Sequence, residues 1–289
     1  MSESNNDESN DNELNEKIGS LRQKFLNSYN EDNDRLYDDC DVRRVQKCDW
    51  LLKRYLLAHN CNQELALNNL KDTLEWRKSF GVNQRTDAYF PDDFYKIGGL
   101  FQYNCDKTGL PLLYIRICVH RKVQELAQLV KEFFVHKVNQ IDVSSGGQWV
   151  LVFDCTASGL SNVDMDFSRF MIDVLQNYFP KSYKYVIIYE MPWLLATFWK
   201  ISRMWLSEED RQQIKLASGQ EIFTFIDAKQ VPQHIQGGQC LQNIYRVPDG
   251  VLPAEQLKHL KFTEEQIRHF RTVFNIQQND DKSEYINNN

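Results

Sequence analysis

The sequence predicts an α/β fold in which an N-terminal helical module precedes a mostly parallel sheet flanked by helices. Three observations predict it. Over the first eighty residues apolar side chains recur only at helical spacing. From Leu110 onward, short and continuously apolar runs alternate with amphipathic helical stretches, the pattern of βαβ units with right-handed crossovers. The 289 residues, 42% of them hydrophobic and 12% aromatic, are enough to bury a full core.

Residues 1–13 are rich in Asn, Asp, Glu and Ser, lack apolar periodicity, and are expected as a disordered acidic tail. A helical module is expected over residues 14–88. Leu14, Ile18, Leu21 and Phe25 mark its first amphipathic helix. A second block runs from about Val42 through Trp50–Leu56, Leu67, Leu70 and Leu74 to Gly81, which suits a C-terminal cap. The sheet domain is expected over 89–245. Its first strand, Leu110–Ile117, follows the turn sequence Asp106-Lys-Thr-Gly109. A helix with Val123, Leu126, Val130, Phe134, Val138 and Ile141 on one face comes next, then the strand Trp149–Phe153, apolar at every position as if buried on both faces. A helix carrying Phe167, Phe170, Met171, Val174 and Leu175 leads to a third strand, Tyr185–Tyr189. Helical segments span about Trp193–Leu216, and Ile222–Ile226 is expected as the fourth strand. Residues 246–289 should hold one more helix, opening on the capping box Thr263-x-x-Gln266, and a frayed tail.

The net charge of −6 resides in the first sixteen residues, which hold six carboxylates and no Lys or Arg, so that residues 17–289 are electrically balanced. Basic residues scattered among acids make no phosphate-binding face, and nucleic acid is not an expected partner. The acidic N-terminus does not read as a secretory signal, and no run approaches the ~20 apolar residues of a membrane span. A cytoplasmic protein is expected, with peripheral association with internal membranes. Seven cysteines, none in C-x-x-C spacing, read as reduced thiols. The six histidines have no ligand-like spacing, and Asp164-Met-Asp166 directly precedes a helix, where carboxylates favour the dipole. No metal and no cofactor are expected. The sequence holds no G-x-G-x-x-G after a strand, no phosphate-loop lysine motif, no G-x-S-x-G and no H-E-x-x-H, so a non-enzymatic role is expected.

The segment Trp193–Leu206, WLLATFWKISRMWL, is apolar almost all round, with only Thr197, Lys200 and Arg203 forming a polar stripe. Such a helix is either core, or the wall of an apolar cavity, or a membrane contact.

Several short motifs then occur in a telling order: Leu51–Leu56, Leu74-Glu-Trp-Arg-Lys-Ser-Phe-Gly81, Asp106–Pro111 with Tyr114-Ile-Arg116, Val152-Phe-Asp154, Asn177-Tyr-Phe-Pro180, Met191-Pro-Trp193 and Gly237-Gly238. Taken together over about residues 42–240 they resemble the CRAL-TRIO family of lipid-binding and lipid-transfer proteins. The resemblance implies a bowl floored by the sheet and enclosing an apolar lipid pocket, with a mobile lid helix at about Trp199–Lys215. It implies binding of a hydrophobic lipid, and its transfer or presentation at cytoplasmic membrane surfaces through a gated pocket. The alternative is an interaction or membrane-tethering module whose pocket is collapsed and does not exchange. The lipid contacts expected on this basis are Tyr114, Arg116, Val152, Phe170, Ile187, Tyr189, Phe198, Trp199, Ile201, Trp205 and Phe223, with Arg116, Lys200 and Arg203 as possible head-group contacts. Trp199, Met204, Trp205 and Leu206 fall at the start of the lid and are expected to enter the membrane. Phosphoinositide recognition is not implied, because the family's basic pair after the first helix falls at His59-Asn60 and no Lys or Arg lies between Ala217 and Ala228.

Overall fold

A computed structural model describes residues 3–31 and 36–276 of the chain. Four helices build the N-terminal part: α1 (Glu3–Glu31), α2 (Asp39–Lys47), α3 (Asp49–Ala58) and α4 (Gln63–Phe80). Their apolar stripes meet in a core of Ile18, Leu21, Phe25, Val45, Leu52 and Leu70 with their neighbours. Gly81 ends α4 in the left-handed conformation, φ 75°, which a side chain would strain. α1 runs back to Glu3, over most of the stretch expected as a tail.

A short helix, α5 (Asp92–Lys96), leads into a five-stranded sheet of β1 (Leu100–Cys105), β2 (Pro111–Arg116), β3 (Trp149–Asp154), β4 (Tyr183–Tyr189) and β5 (Ile214–Ala217). Its spatial order is the chain order, with β1 antiparallel to β2 and all other pairs parallel. The β1–β2 turn is the Asp106–Gly109 sequence. The Asp106 carboxylate accepts hydrogen bonds from the Thr108 and Leu110 backbone N–H groups at 2.9 and 2.8 Å, and Gly109 takes φ 89°. Crossovers α6 (Ala127–Ser145) and α7 (Met165–Asn177) cover one face, followed by α8 (Ala196–Met204) and α9 (Glu208–Gln212) between β4 and β5. The last helix, α10 (Glu264–Val273), opens on the expected capping box, with Gln266 N–H bonded to Thr263 Oγ1 at 3.2 Å and Thr263 N–H to Gln266 Oε1 at 2.9 Å.

Two strand expectations change. The hairpin partner β1 was not anticipated. The expected fourth strand at Ile222–Ile226 is instead the end of a 3-10 segment, Gly219–Thr224, and the strand in that place is Ile214–Ala217. Ile222 and Ile226 are both fully buried while Thr224 between them is exposed; a strand would put all three on one face, whereas a helical turn brings only residues four apart together.

Because side chains alternate across a strand, the sheet has two apolar faces. Leu113, Ile115, Leu151, Phe153, Val186 and Ile188 face α6 and α7. Tyr114, Val150, Val152, Ile187 and Tyr189 face the 219–240 segment. That segment closes tightly on itself at Gly238, where a Cβ would lie 2.2 Å from the Pro232 carbonyl oxygen.

Candidate functional site

The first of these faces does not pack solidly. Between it and the surrounding helices lies a cavity of 240 Å3, inside a cleft whose atom-free space, mouth included, is 1830 Å3. Alternate strand residues Ile115, Leu151, Phe153, Val186 and Ile188 make its floor. Phe133 and Phe134 of α6 with Phe167, Met171, Ile172 and Leu175 of α7 make one wall. Phe198, Trp199 and Ser202 of α8, with Leu195 just before it and Leu206 just after, share one helical face and line the opposite side. Phe270 of α10 and Phe274, which caps it, close one end, although nothing local in the sequence brings them there. An apolar pocket with few polar groups has the form of a site that takes its ligand by burial.

Polar groups of the wall gather at the C-terminal ends of β2 and β3. The Arg116 guanidinium donates through Nη1 to the Gly98 carbonyl and to Tyr245 Oη, both at 3.3 Å, and its Nε lies 3.9 Å from buried Asp154. Burial opposes ionisation of Asp154, yet hydrogen bonds from His234 and Thr156 hold its carboxyl below the ordinary value. His120 lies 3.2 Å from Asp164, and burial, only partly offset by that carboxylate, lowers its proton affinity. Asp164 itself caps α7, accepting from Phe167 N–H at 3.0 Å, while Asp166 pairs with Lys122 at 2.7 Å, as a dipole-favouring pair should. The ligand-like grouping of Asp38, Cys40 and Asp41 is taken up by the helical core, since Asp41 holds Arg77 at 2.9 Å and Asn83 at 2.6 Å. The His234–Asp154 pair, at 2.9 Å, has a catalytic look, but His234 does not line the cavity.

Cys155 does line it. Burial pushes its thiol up to about 12. With almost no thiolate at pH 8, Cys155 should remain unmodified by iodoacetamide in the folded protein and react only on unfolding, as peptide mass mapping would show. Labelling of native Cys155 at the rate of a free thiol would contradict its burial.

Comparison with known proteins places this geometry. Residues 95–237, from the end of α5 to the Gly237 turn, match the family model described as the CRAL/TRIO domain. This segment belongs to the CRAL/TRIO domain family. That family is one of lipid-binding and lipid-transfer proteins. A CRAL-TRIO domain-containing protein of Schizosaccharomyces pombe is 26% identical over 212 residues, covering 65% of this chain and 47% of its own length. Patellin-3 of Arabidopsis thaliana is 21% identical over 212 residues, covering 66% of this chain and 43% of itself. The chain therefore spans about half the length of these relatives. The crystal structure of Sfh5 shares the fold, with a TM-score of 0.62 at 16% identity, covering 89% of this chain and 97% of that one.

Within this CRAL/TRIO domain, the expected lipid contacts divide. Arg116, Phe198 and Trp199 line the cavity. Tyr114, Val152, Ile187 and Tyr189 do not, because they belong to the other face of the sheet, where they pack with Ile222 and Ile226. Phe223 is also there, 3.0 Å from the position of a Cβ on Gly237. Phe170 lies on α7 away from the cavity, with Lys131 Nζ 5.2 Å from its ring. Ile201 is on the outer side of α8, and Trp205 is half-buried with the Arg169 guanidinium 5.4 Å from its ring. Lys200 and Arg203 are exposed and do not reach the cavity, so Arg116 alone of the possible head-group contacts touches it. The expected membrane-entering set is likewise divided: Trp199 and Leu206 line the cavity, whereas Met204 is 73% exposed, as Trp193 is at 88%.

Proposed function

We propose that this chain binds one apolar or amphipathic lipid in the 240 Å3 cavity, without chemical change to it, and transfers or presents it at cytoplasmic membrane surfaces. The observation that carries the reading is the cavity itself, open and apolar on sheet, α6, α7 and α8 sides alike. Each methylene buried there contributes ~0.8 kcal/mol, so a dozen give a gross ~10 kcal/mol, and sheathing a lipid tail needs no catalytic group. A collapsed pocket, which a purely tethering module would have, would be filled by the Phe and Trp side chains that here stand around open space.

The lid is α8 and α9. Leu195 to Leu206 faces cargo on one side, while Trp193, Ile201 and Met204 face outward, so movement of this segment would open the cavity toward whatever apolar surface holds those side chains. No helix among the described residues is long and apolar enough to cross a membrane, which accords with a peripheral encounter. Within the family, Leu160–Phe167 and Met191-Pro-Trp193 resemble the lipid-binding half of motile sperm domain-containing protein 2, and we take that as a guide to cellular role.

The test is transfer of a fluorescent phospholipid between donor and acceptor vesicles, with native mass spectrometry of lipid retained on purification. Ile172 lines the cavity and is only half-buried, so Ile172→Trp fills space at modest cost. The expected result is severalfold less retained lipid and slower transfer with a near-unchanged melting temperature. Undiminished retention and transfer by that variant would overturn the reading.

A further inference from the structure

The inward stripe of α8 is apolar at every position but one. Phe198 and Trp199, with Leu206 just past the helix, line the cavity, and Ser202 sits between them, 6% exposed. Its Oγ has no hydrogen-bond partner among the described residues. A serine inside a helix can return its hydroxyl to the carbonyl one turn back, and this one does not. A buried hydroxyl without a partner is costly and uncommon, and one set into a cavity wall calls for a partner from the cavity.

Ser168 of α7 also lines the cavity but is only half-buried, and most of the remaining polar wall is already engaged. The Asp93 carboxylate holds Arg271 through both oxygens at 3.0 Å. Gln176 Nε2 and Tyr183 Oη donate to Asp210 at 2.7 and 2.6 Å. Asn162 Nδ2 donates to the Cys118 and His120 carbonyls, both at 3.0 Å. Arg116 Nε is also without a hydrogen bond, but its charge already faces Asp154 at 3.9 Å. No cation accompanies Ser202, since its neighbours Lys200 and Arg203 are exposed on the outer side of the helix. An anionic head group at this point would be buried without a counter-charge.

We propose that the Ser202 hydroxyl is the polar anchor for the cargo, and that the cavity selects an amphiphile with an uncharged hydrogen-bonding oxygen, such as a hydroxyl, ester or ketone, lying beneath α8. This rests on the lipid-binding reading above. It makes Ser202 a specificity residue: hydrocarbon length sets the gross affinity, and one oxygen sets orientation and preference.

The experiment uses the full chain and a matched pair of probes, pyrenyldodecanol and dodecylpyrene, presented from phosphatidylcholine vesicles and read by pyrene fluorescence. The expected result is about fivefold tighter binding of the alcohol, the size of one net hydrogen bond. In Ser202→Ala that preference should fall to about one while dodecylpyrene binding is unchanged, and the melting temperature should stay level or rise, because an unpaired hydroxyl has been removed. Equal binding of the two probes by the wild type would mean that water or nothing satisfies Ser202, and would overturn the anchor while leaving lipid binding intact. A preference that survives Ser202→Ala, or loss of both probes together with a fall in melting temperature, would overturn it as well. Failure of the wild type to bind either probe would defeat the lipid-binding reading itself.

Discussion

Replacing Asp142 by alanine is expected to lower stability by ~3–5 kcal/mol and to loosen the N-terminal helices from the sheet domain. Asp142 lies on α6, is 2% exposed, and accepts from Arg54 of α3 at 2.5 Å and from Arg44 of α2 at 3.1 Å. Arg54 is itself 1% exposed, flanked by the rings of Tyr55 and Phe179 at 5.5 and 5.9 Å. Burial disfavours its charge, yet Asp142 and Tyr55 raise its proton affinity above the ordinary value, so the guanidinium stays ionised. Without Asp142 that cation would have no counter-charge in an apolar setting, the costliest way to break a buried pair. Other ties across this junction pair no opposite charges: Arg77 Nη2 on Asn139 Oδ1 at 3.0 Å, Asn69 Nδ2 on the Asn177 carbonyl at 3.1 Å, and the Trp76–Tyr178 stack, with centroids 3.9 Å apart. Urea denaturation would measure the loss, and limited proteolysis would show whether α1–α4 are released. The double substitution Arg54→Met with Asp142→Leu should recover most of the stability, since removing both charges leaves neither orphaned. A loss under ~1 kcal/mol in Asp142→Ala would mean that the junction does not depend on this pair.

That junction was beyond the reach of the sequence, as ion pairs between residues 88 positions apart leave no periodic signal. The elements were readable where periodicity was strong. The helical spacing of Ile18, Leu21 and Phe25 in α1, and the short apolar runs Trp149–Phe153 and Tyr185–Tyr189, all became what their patterns require. The cavity wall was only half readable, and the reason is physical. A strand buried on both faces is apolar at every position, so nothing in Trp149-Val-Leu-Val-Phe153 tells which parity faces the cavity. Val152 accordingly packs on the face opposite to Leu151 and Phe153, as a shift of one residue requires. In α8 the spacing itself carried the answer, because Phe198, Trp199, Ser202 and Leu206 share a face and Ile201 and Met204 do not. The contributions of Phe270 and Phe274 depended on a tertiary return of α10, fixed by Arg271 on Asp93, which no local pattern announces.

The outward half of that helix leads to the second large effect expected. Replacing Trp193 and Met204 together by alanine should weaken binding to phosphatidylcholine vesicles tens-fold and leave thermal stability within ~0.5 kcal/mol of wild type, as is usual for exposed positions. Their exposures of 88% and 73% mean that neither contributes appreciably to the core; both point outward, as do exposed Ile201 and the polar Thr197 and Lys200 between them. Large aromatic and thioether side chains each gain up to ~1.5–3 kcal/mol on leaving water, so losing two accounts for a change of that order. Residues 17–289 carry balanced charge, and long-range attraction to anionic lipid should add little, so raising salt should change wild-type binding far less than the double substitution does. Leu206→Ala is the matched control. It removes an apolar side chain from the same segment but from the cavity side, and should lower cargo retention while sparing vesicle binding. Co-sedimentation with vesicles at low and high salt, alongside thermal unfolding, separates the cases: binding abolished by salt would mean a charge-driven encounter, and unaltered binding of the double variant would mean that this face of α8 does not meet the membrane.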